Sequence, residues 1–546
     1  MNAVDAIVAG CLVPLAWAAI VSGLDDLVVD IAMVWQWLRR RLFLAPQLPQ
    51  PQRSSPEKPV AILLPLWKEA AVVGEMIERN LASIRYDNYH LFAGVYPNDP
   101  GTMDVVRRAE GRHSNVHLAI VPHDGPTSKA DCLNWIYQAM RAHEEACGGR
   151  FEMVVTHDAE DVIHPESLAW INVCSRHYDM IQVPVLPLPT PWRNFTHGVY
   201  CDEFAEFQLK DVPVRRLLGG FLPSNGVGTG YSRRALDMLA ERDENRLFDP
   251  ASLTEDYDCG LRLHALGFRQ VFLPLRLGHG EPLATREYFP TRLRQAIRQR
   301  TRWVTGICLQ SWEKYGWRGG AAVIYWFWRD RKGLLGNPLS LLGNAVCLWG
   351  LGTLAWSRLS GHPWGLRDFS PTPTESLLLG GALLMQAHRL AVRTTCCARL
   401  YGIAFAAGTP LRAVWSNWMN AIATLTAICR YLFARLSGKP LVWLKTEHTY
   451  PATETQPPQS VPTLEEFDPA AVRTEIIRAL PRHVMGRWRI VPVGVSEGSL
   501  YLAATRPPTG DLYRELRSFT HLAVRVQVVR REVFEVLERR ASPQRP

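Results

Sequence analysis

Nowhere in this chain of 546 residues do two cysteines stand in a CxxC pair, and its 11 cysteines keep no regular spacing. That excludes a zinc framework built on paired cysteines and a disulfide scaffold, and leaves reduced thiols as the expectation. The one adjacent pair, Cys396–Cys397, has no motif around it. Charge is sparse as well. Charged residues make up 21% and hydrophobic ones 47%, which excludes an intrinsically disordered chain. The beginning has no basic segment ahead of its first apolar run and no clear small-residue cleavage site after it. Residues 6–24, nineteen uncharged positions, are therefore expected to be a retained membrane span rather than a secretory signal. The net charge of +9 comes without an aromatic-rich basic strand pattern, so no nucleic-acid partner is expected. Arginines cluster instead beside apolar runs, as Arg39, Arg40 and Arg41 do, and this points to an anionic membrane face.

What is present divides the chain into four parts. Residues 1–45 hold the first span and an apolar continuation with Asp25, Asp26 and Asp30, expected to be an interfacial helix whose arginines mark the cytoplasmic side. A Pro/Gln/Ser linker leads to residues 57–318. There short apolar runs at 60–64, 91–96, 116–121, 153–156 and 180–185 alternate with helical stretches such as 70–83 and 129–143. That rhythm predicts an α/β domain with a mainly parallel sheet. Residues 319–445 contain a second uncharged run at 335–356 and a weaker third span at 376–392, ended by His388 and Arg389. The run 403–432 carries Arg412, Asn417, Asn420 and Arg430 and is expected to lie on the membrane surface. After a Pro/Thr/Gln linker, residues 464–541 form a small αββαβα module with no catalytic constellation. One span before the α/β domain and two after it place that domain and the module on the same, cytosolic side.

Ligands of open α/β sheets bind beyond the carboxyl ends of the strands. The run Phe151, Met153, Val154, Val155 ends in three carboxylates, Asp158, Glu160 and Asp161. Acidic oxygens gathered there suit a hard cation such as Mg²⁺ or Mn²⁺. Five further features follow the same logic. Pro65 to Glu69 follows the first strand, and Asn98–Asp99 follows the second. Lys129 opens a helix, where it can meet a phosphate beside the helix dipole. A glycine-rich loop, Gly226 to Gly230, precedes Thr254-Glu255-Asp256, whose Asp256 can take a proton if it faces the metal site. Gln299, Arg302 and Trp303 sit in a basic helix, with a guanidinium for a diphosphate and an indole for stacking.

Taken in order, these motifs resemble the processive, membrane-embedded family 2 glycosyltransferases, relatives of cellulose and hyaluronan synthases. The resemblance covers roughly residues 57–318. It rests on Pro65–Glu69, Asp99, KAxxLN at Lys129–Asn134, the DxD-like Asp158-Ala-Glu160, TED at Thr254–Asp256 and QxxRW at Gln299–Trp303. It implies a GT-A, Rossmann-like fold and a UDP-sugar donor, with an N-acetylhexosamine the first to try. Pro65, Glu69, Asp99, Lys129 and Asp158 would bind the donor. Asp158, with Glu160 or Asp161, would bind Mg²⁺ or Mn²⁺. Asp256 would be the general base of an inverting transfer, and Glu255, Gln299, Arg302 and Trp303 would hold the diphosphate and the acceptor. The departure is Glu160, where many relatives have Asp.

Across the whole chain, Gly23-Leu-Asp-Asp26, His157-Asp-Ala-Glu-Asp161, Pro410 to Trp415 and Lys445 to His448 are similar to the NfrB-type bacteriophage-adsorption glycosyltransferases. This implies a bacterial inner-membrane enzyme that extends a polysaccharide acceptor for the cell surface, with an outer-membrane export partner. The module at 464–541 resembles the N-terminal domain of type II secretion ATPases, which binds cyclic di-GMP in some relatives. Residues 449–480 lack the tandem RLGxxL segments of those relatives, which argues against that ligand here. The alternatives are a non-processive transferase onto a lipid carrier and a scaffold that docks a partner through the module.

Overall fold

The computed structural model describes residues 3–42, 56–273 and 282–438, the single residues 51, 441, 476 and 512, and residues 480–496, 499–505, 515–516, 519–520, 523–529 and 531–541. They fall into two compact units, Met1–Ala452 and Thr453–Pro546.

The first unit is built on a seven-stranded sheet of order β3-β2-β1-β4-β7-β5-β8. Its strands are β1 (Val60–Pro65), β2 (Tyr89–Val95), β3 (Val116–Ile120), β4 (Met153–Thr156), β5 (Met180–Gln182), β7 (Thr229–Ser232) and β8 (Gln270–Phe272). A separate parallel pair is formed by β6 (Val185–Pro187) and β9 (Thr285–Glu287). Strand β1 is central, parallel to β2 on one side and to β4 on the other. Its unbroken apolar sequence follows from burial on both faces. Val60, Ile62 and Leu64 pack on one side with Met76 and Ile77 of the helix Val73–Ser83. Ala61 and Leu63 pack on the other with Leu133, Ile136 and Tyr137 of the helix Lys129–Cys147. Chain order reverses between β1 and β4, so a crevice opens beyond their carboxyl ends.

Two details differ from the sequence expectation. The run at 180–185 is split into β5 and β6, because Pro184 has no amide for a ladder and ends the first pairing. The glycine-rich loop runs into β7, which inserts antiparallel between β4 and β5. Its sequence Thr-Gly-Tyr-Ser carries no apolar run to announce it.

The expected span and interfacial helix at the beginning form one continuous helix, Ala3–Leu42. Its acidic residues are paired within the unit: Asp5 accepts from Trp349 at 2.9 Å, Asp25 from Lys332 at 2.7 Å, and Asp30 lies 2.9 Å from His388. Among the described residues, two helical stretches, Ala3–Arg39 and Ala321–Ser360, are long and apolar enough to cross a membrane. The weaker third run lies in the helix Pro373–Tyr401, where Arg389 pairs with Asp26 and Arg393 with Glu206. Most of the run at 403–432 lies in one helix, Thr409–Ser437. Two of its polar residues turn to the α/β domain: Asn420 donates to Glu203 at 3.0 Å, and Arg412 pairs with Asp202 of the helix Phe195–Glu206 at 2.7 Å, both side chains of that pair being buried. Asn417 instead donates to Asn344 of the helix Gly333–Ser360, and Arg430 is exposed.

In the second unit, β10 (Ile490–Ser496) and β11 (Ser499–Ala504) pair antiparallel, and β12 (Ala523–Val528) lies parallel to β11. The helices Arg482–Trp488 and Arg531–Ala541 flank them in sequence. The expected helix at 464–480 and much of that at 511–519 lie outside the described residues.

Candidate functional site

A cavity of about 470 Å³ lies in the crevice beyond β1 and β4. Strand ends and helix starts supply its wall. Pro65, Trp67 and Glu69 come from the carboxyl end of β1, Asp158 and Glu160 from that of β4. Lys129 opens the helix Lys129–Cys147, whose first turn is capped by Ser128 accepting from the Asp131 amide. Glu255 and Asp256 occupy the first turn of the helix Glu255–Ala265. There the exposed amides favour negative charge. Gln299, Arg302 and Trp303 reach the cavity from the helix Leu293–Trp303.

The electrostatics centre on one cation. Lys129 Nζ lies 2.6 Å from Asp158 Oδ1 and donates to Asp158 Oδ2 at 2.8 Å, with the Gly226 carbonyl at 3.5 Å. Burial works against its charge, but Asp158 and Glu255 outweigh burial and hold the ammonium protonated above the usual lysine range. Burial and the adjacent Asp256 charge push Glu255 up to about 7, against the pull of Lys129 and Arg302. Burial also raises Asp256, whose Oδ1 accepts from the Tyr257 amide at 2.8 Å. The two carboxyls therefore hold protons more tightly than exposed acids do.

Backbone shape brings the loop onto this pair. Gly226 has φ +75°, and a Cβ there would lie 2.8 Å from Asp256 Oδ2. Gly306, beyond Trp303, lets its helical segment close on Thr254, whose Oγ1 an added Cβ would strike.

The basic helix divides its arginines between two tasks. Arg300 turns from the cavity to Glu203 and Asn420, at 2.7 and 2.6 Å. Arg302 lines the cavity, and among the described residues its buried Nε has no hydrogen-bond partner; neither has Gln299 Oε1. An unpartnered guanidinium nitrogen and an amide oxygen at the wall fit a polar, anionic ligand. Trp303 packs edge-on or tilted against Tyr200, Phe204 and Phe289 at 6.1, 6.3 and 6.4 Å between ring centres, which leaves it a fixed wall.

Two sequence candidates stand apart from the cavity. Asp161 is fully buried behind the loop, and its Oδ2 meets His157 Nδ1 at 2.7 Å and the Asp158 amide at 3.0 Å. Burial drives His157 down to about 3 and Asp161 well above its usual range, so this contact holds the loop as a largely neutral pair. Asp99 caps the helix Pro100–Glu110 by accepting from the Thr102 amide, and its other oxygen accepts from the Lys68 amide. It orders the segment that carries Trp67 and Glu69.

Sequence reasoning missed one side of the cavity. Glu203, Phe204, Glu206 and Phe207, on the helix Phe195–Glu206 and its continuation, line it together with Tyr96, Asn225, Glu287 and Phe289. Asp330 and Arg393, from the helices Ala321–Arg331 and Pro373–Tyr401, line it too. The signal available was Asp202, Glu206 and Lys210, four residues apart on one helical face.

Residues 56–306 match the family described as glycosyltransferase like family 2, and residues 460–545 match the MshEN domain. Bacteriophage adsorption protein B of Escherichia coli (strain K12) is 36% identical over 463 residues, which cover 81% of this chain and 62% of that protein. Bacteriophage N4 adsorption protein B of Escherichia coli O157:H7 has the same identity and coverage, 36% over 463 residues. The chain thus spans 62% of the length of the curated relatives it matches. Among solved structures, mannosyltransferase PcManGT from Pyrobaculum calidifontis, in complex with GDP-Man and Mn²⁺, superposes with a TM-score of 0.43 at 15% identity, covering 74% of this chain and 99% of that one.

Proposed function

From a chain whose residues 56–306 belong to glycosyltransferase-like family 2 and have its GT-A fold, we propose an inverting transferase that moves a sugar from a UDP-sugar to a growing polysaccharide. The observation that carries the proposal is convergence. Lys129, Asp158, Glu160, Glu255, Asp256, Gln299, Arg302 and Trp303, from four separate segments, line one cavity.

The roles follow from charge and position. Asp158 and Glu160 offer carboxylate oxygens to the cavity, a donor set that suits Mg²⁺ or Mn²⁺. A divalent cation held there supplies positive charge to the donor diphosphate. Lys129 supplies a second, permanently protonated charge, and Arg302 Nε a third contact. Asp256 accepts the proton of the acceptor hydroxyl as its oxygen attacks the anomeric carbon. The bond from that carbon to the diphosphate breaks, and the nucleoside diphosphate leaves with the electron pair. Glu255, protonated near neutrality, donates a hydrogen bond rather than repelling the anionic donor. Trp303 and its aromatic neighbours offer an apolar wall to a sugar ring. Asp99 supports the donor loop from behind.

We place the enzyme in a bacterial inner membrane with its α/β domain and C-terminal module in the cytosol. The cavity is lined by Asp330 and Arg393 of helices packed beneath the domain, which favours an acceptor that passes toward the membrane and on to an export partner. The same observation favours, as a second reading, a single transfer onto a lipid carrier. No cyclic di-GMP site is assigned to the module.

The test uses membranes containing the full chain, incubated with a panel of UDP-sugars, UDP-N-acetylhexosamines first, and Mg²⁺ or Mn²⁺. One donor is expected to be consumed, with sugar incorporated into long product. Product of a single added sugar in the lipid fraction selects the second reading. Asp256→Asn is expected to abolish incorporation while the protein stays folded, and undiminished incorporation removes Asp256 from the mechanism.

A further inference from the structure

Three histidines lie on the outer half of the sheet, away from the carboxylate cavity. His90 is on β2 and His117 on β3, where the register pairs His117 with Phe92, so His90 and His117 share one face of the sheet. His143 comes down on that face from the helix Lys129–Cys147. One ring nitrogen from each residue lies within 4.8 Å of the other two. His90 Nδ1 and His117 Nε2 are 2.7 Å apart, and the His117 and His143 ring centres are 4.3 Å apart. All three side chains are partly exposed.

We propose that His90, His117 and His143 form a binding site for a transition-metal ion of the Zn²⁺ class, separate from the carboxylate site. Three imidazoles from three elements, with a fourth position open to water, are the donor set of such an ion. Nitrogens on one tetrahedral zinc sit roughly 2.0–2.1 Å from it, hence about 3.3 Å from each other. His90 Nδ1 and His117 Nε2 stand at 2.7 Å, inside that spacing, and all three nitrogens lie within 4.8 Å of one another, so ligation requires the rings to turn. Ligation needs neutral imidazole. His143 stands 14 residues along the helix that begins at Lys129, about 20 Å away at the helical rise per residue. An ion there would staple the far end of that helix to β2 and β3. The cysteine spacing excluded zinc only in frameworks of paired thiols; these ligands are distant in sequence and meet through the sheet register.

The test uses the full, untagged protein carrying Cys147→Ser, which removes a thiol 3.6 Å from His143 Nε2. Stripped with chelator and titrated with Co²⁺, it is expected to show the intense visible bands of tetrahedral cobalt at a single equivalent. Zn²⁺ is expected to displace them and to raise the melting temperature. His117→Phe keeps a ring stacked between Phe92 and His143 and is expected to weaken Co²⁺ binding roughly 100-fold without lowering the metal-free melting temperature. His90→Phe is a second, independent ligand loss. Glu160→Gln is expected to leave the bands intact. No tetrahedral bands at one equivalent, or bands that survive both His90→Phe and His117→Phe, overturn the site.

Discussion

Gly226→Ala separates the geometry of the site from the stability of the fold. Gly226 holds φ +75°, and its would-be Cβ lies 2.8 Å from Asp256 Oδ2 and 3.4 Å from Asp256 Cγ. A left-handed alanine costs roughly 1–2 kcal/mol. The carbon–oxygen contact is about 0.7 Å too close, taking ordinary contacts near 3.5 Å. One of two things must move. The carboxylate can retreat, straining its bond from the Tyr257 amide, or the loop can retreat, pulling its carbonyl from Lys129. Either movement displaces a group that handles proton or phosphate. An error of about 1 Å in a reacting group can cost a hundredfold, so kcat should fall roughly 10- to 100-fold. Gly228→Ala is the control. It has φ +59°, and its Cβ would strike Thr285 Oγ1, on the side of β9 rather than of Asp256. Both variants should melt lower, and only Gly226→Ala should lose kcat beyond its loss of folded protein. Initial rates of UDP release, normalised to folded enzyme from thermal melts, make the comparison. Full kcat in Gly226→Ala, or equal losses in the two variants, refutes the placement of Asp256 against this loop.

Three more expectations follow from the site. Glu255→Gln should remove the loss of kcat/KM expected above about pH 7, where Glu255 sheds its proton, whereas kcat/KM should fall for both enzymes as pH drops into the range where Asp256, raised by burial above the usual carboxylate range, takes up a proton. The stability sign of Glu255 is the same: a carboxyl raised in the folded state stabilises while protonated, so that contribution is whole below the usual carboxyl range and is lost as pH rises through about 7. Glu160→Gln should raise the Mn²⁺ concentration needed for half-maximal UDP release, whereas Asp161→Asn should leave it unchanged and lower the melting temperature. Arg412→Met strands the buried Asp202 and should cost roughly 3–5 kcal/mol in denaturant unfolding of the detergent-solubilised protein, much of it recovered in Asp202→Leu/Arg412→Met.

The sheet's centre was legible because β1 and β4 are buried on both faces and leave apolar runs. The site was legible where its chemistry sits in short segments at strand ends and helix starts, as Lys129, Asp158 and Asp256 do. The direction of a side chain within a turn was not. Asp158, Glu160 and Asp161 lie within four residues, and only the folded turn sends Glu160 to the cavity and Asp161 to His157 and the Asp158 amide. Asp99 shows the same ambiguity. An Asp at that point can meet a ligand or cap a helix, and its carboxylate is taken by two backbone amides.

Polar residues in apolar helices were harder still, because a membrane surface and a buried protein interface leave the same mark. Arg412 and Asn420 fitted a surface helix. They instead meet Asp202 and Glu203, residues some 200 positions earlier in the chain. Arg389 and Arg393 end the weak third run in the same way, on Asp26 and Glu206. A cation in an apolar helix needs a partner if it is not to snorkel. The helix that supplies many of these partners carries Asp202, Glu203, Glu206 and Asp211, more acid than a helix covering an α/β core requires. Surplus acid in one segment and surplus base in several distant apolar ones is a complementarity written in the amino-acid order itself. It also explains the cavity's missed wall, since Glu203 and Glu206, bonded to Arg300 and Arg393, bring Phe204 and Phe207 to face Trp303 and the donor site.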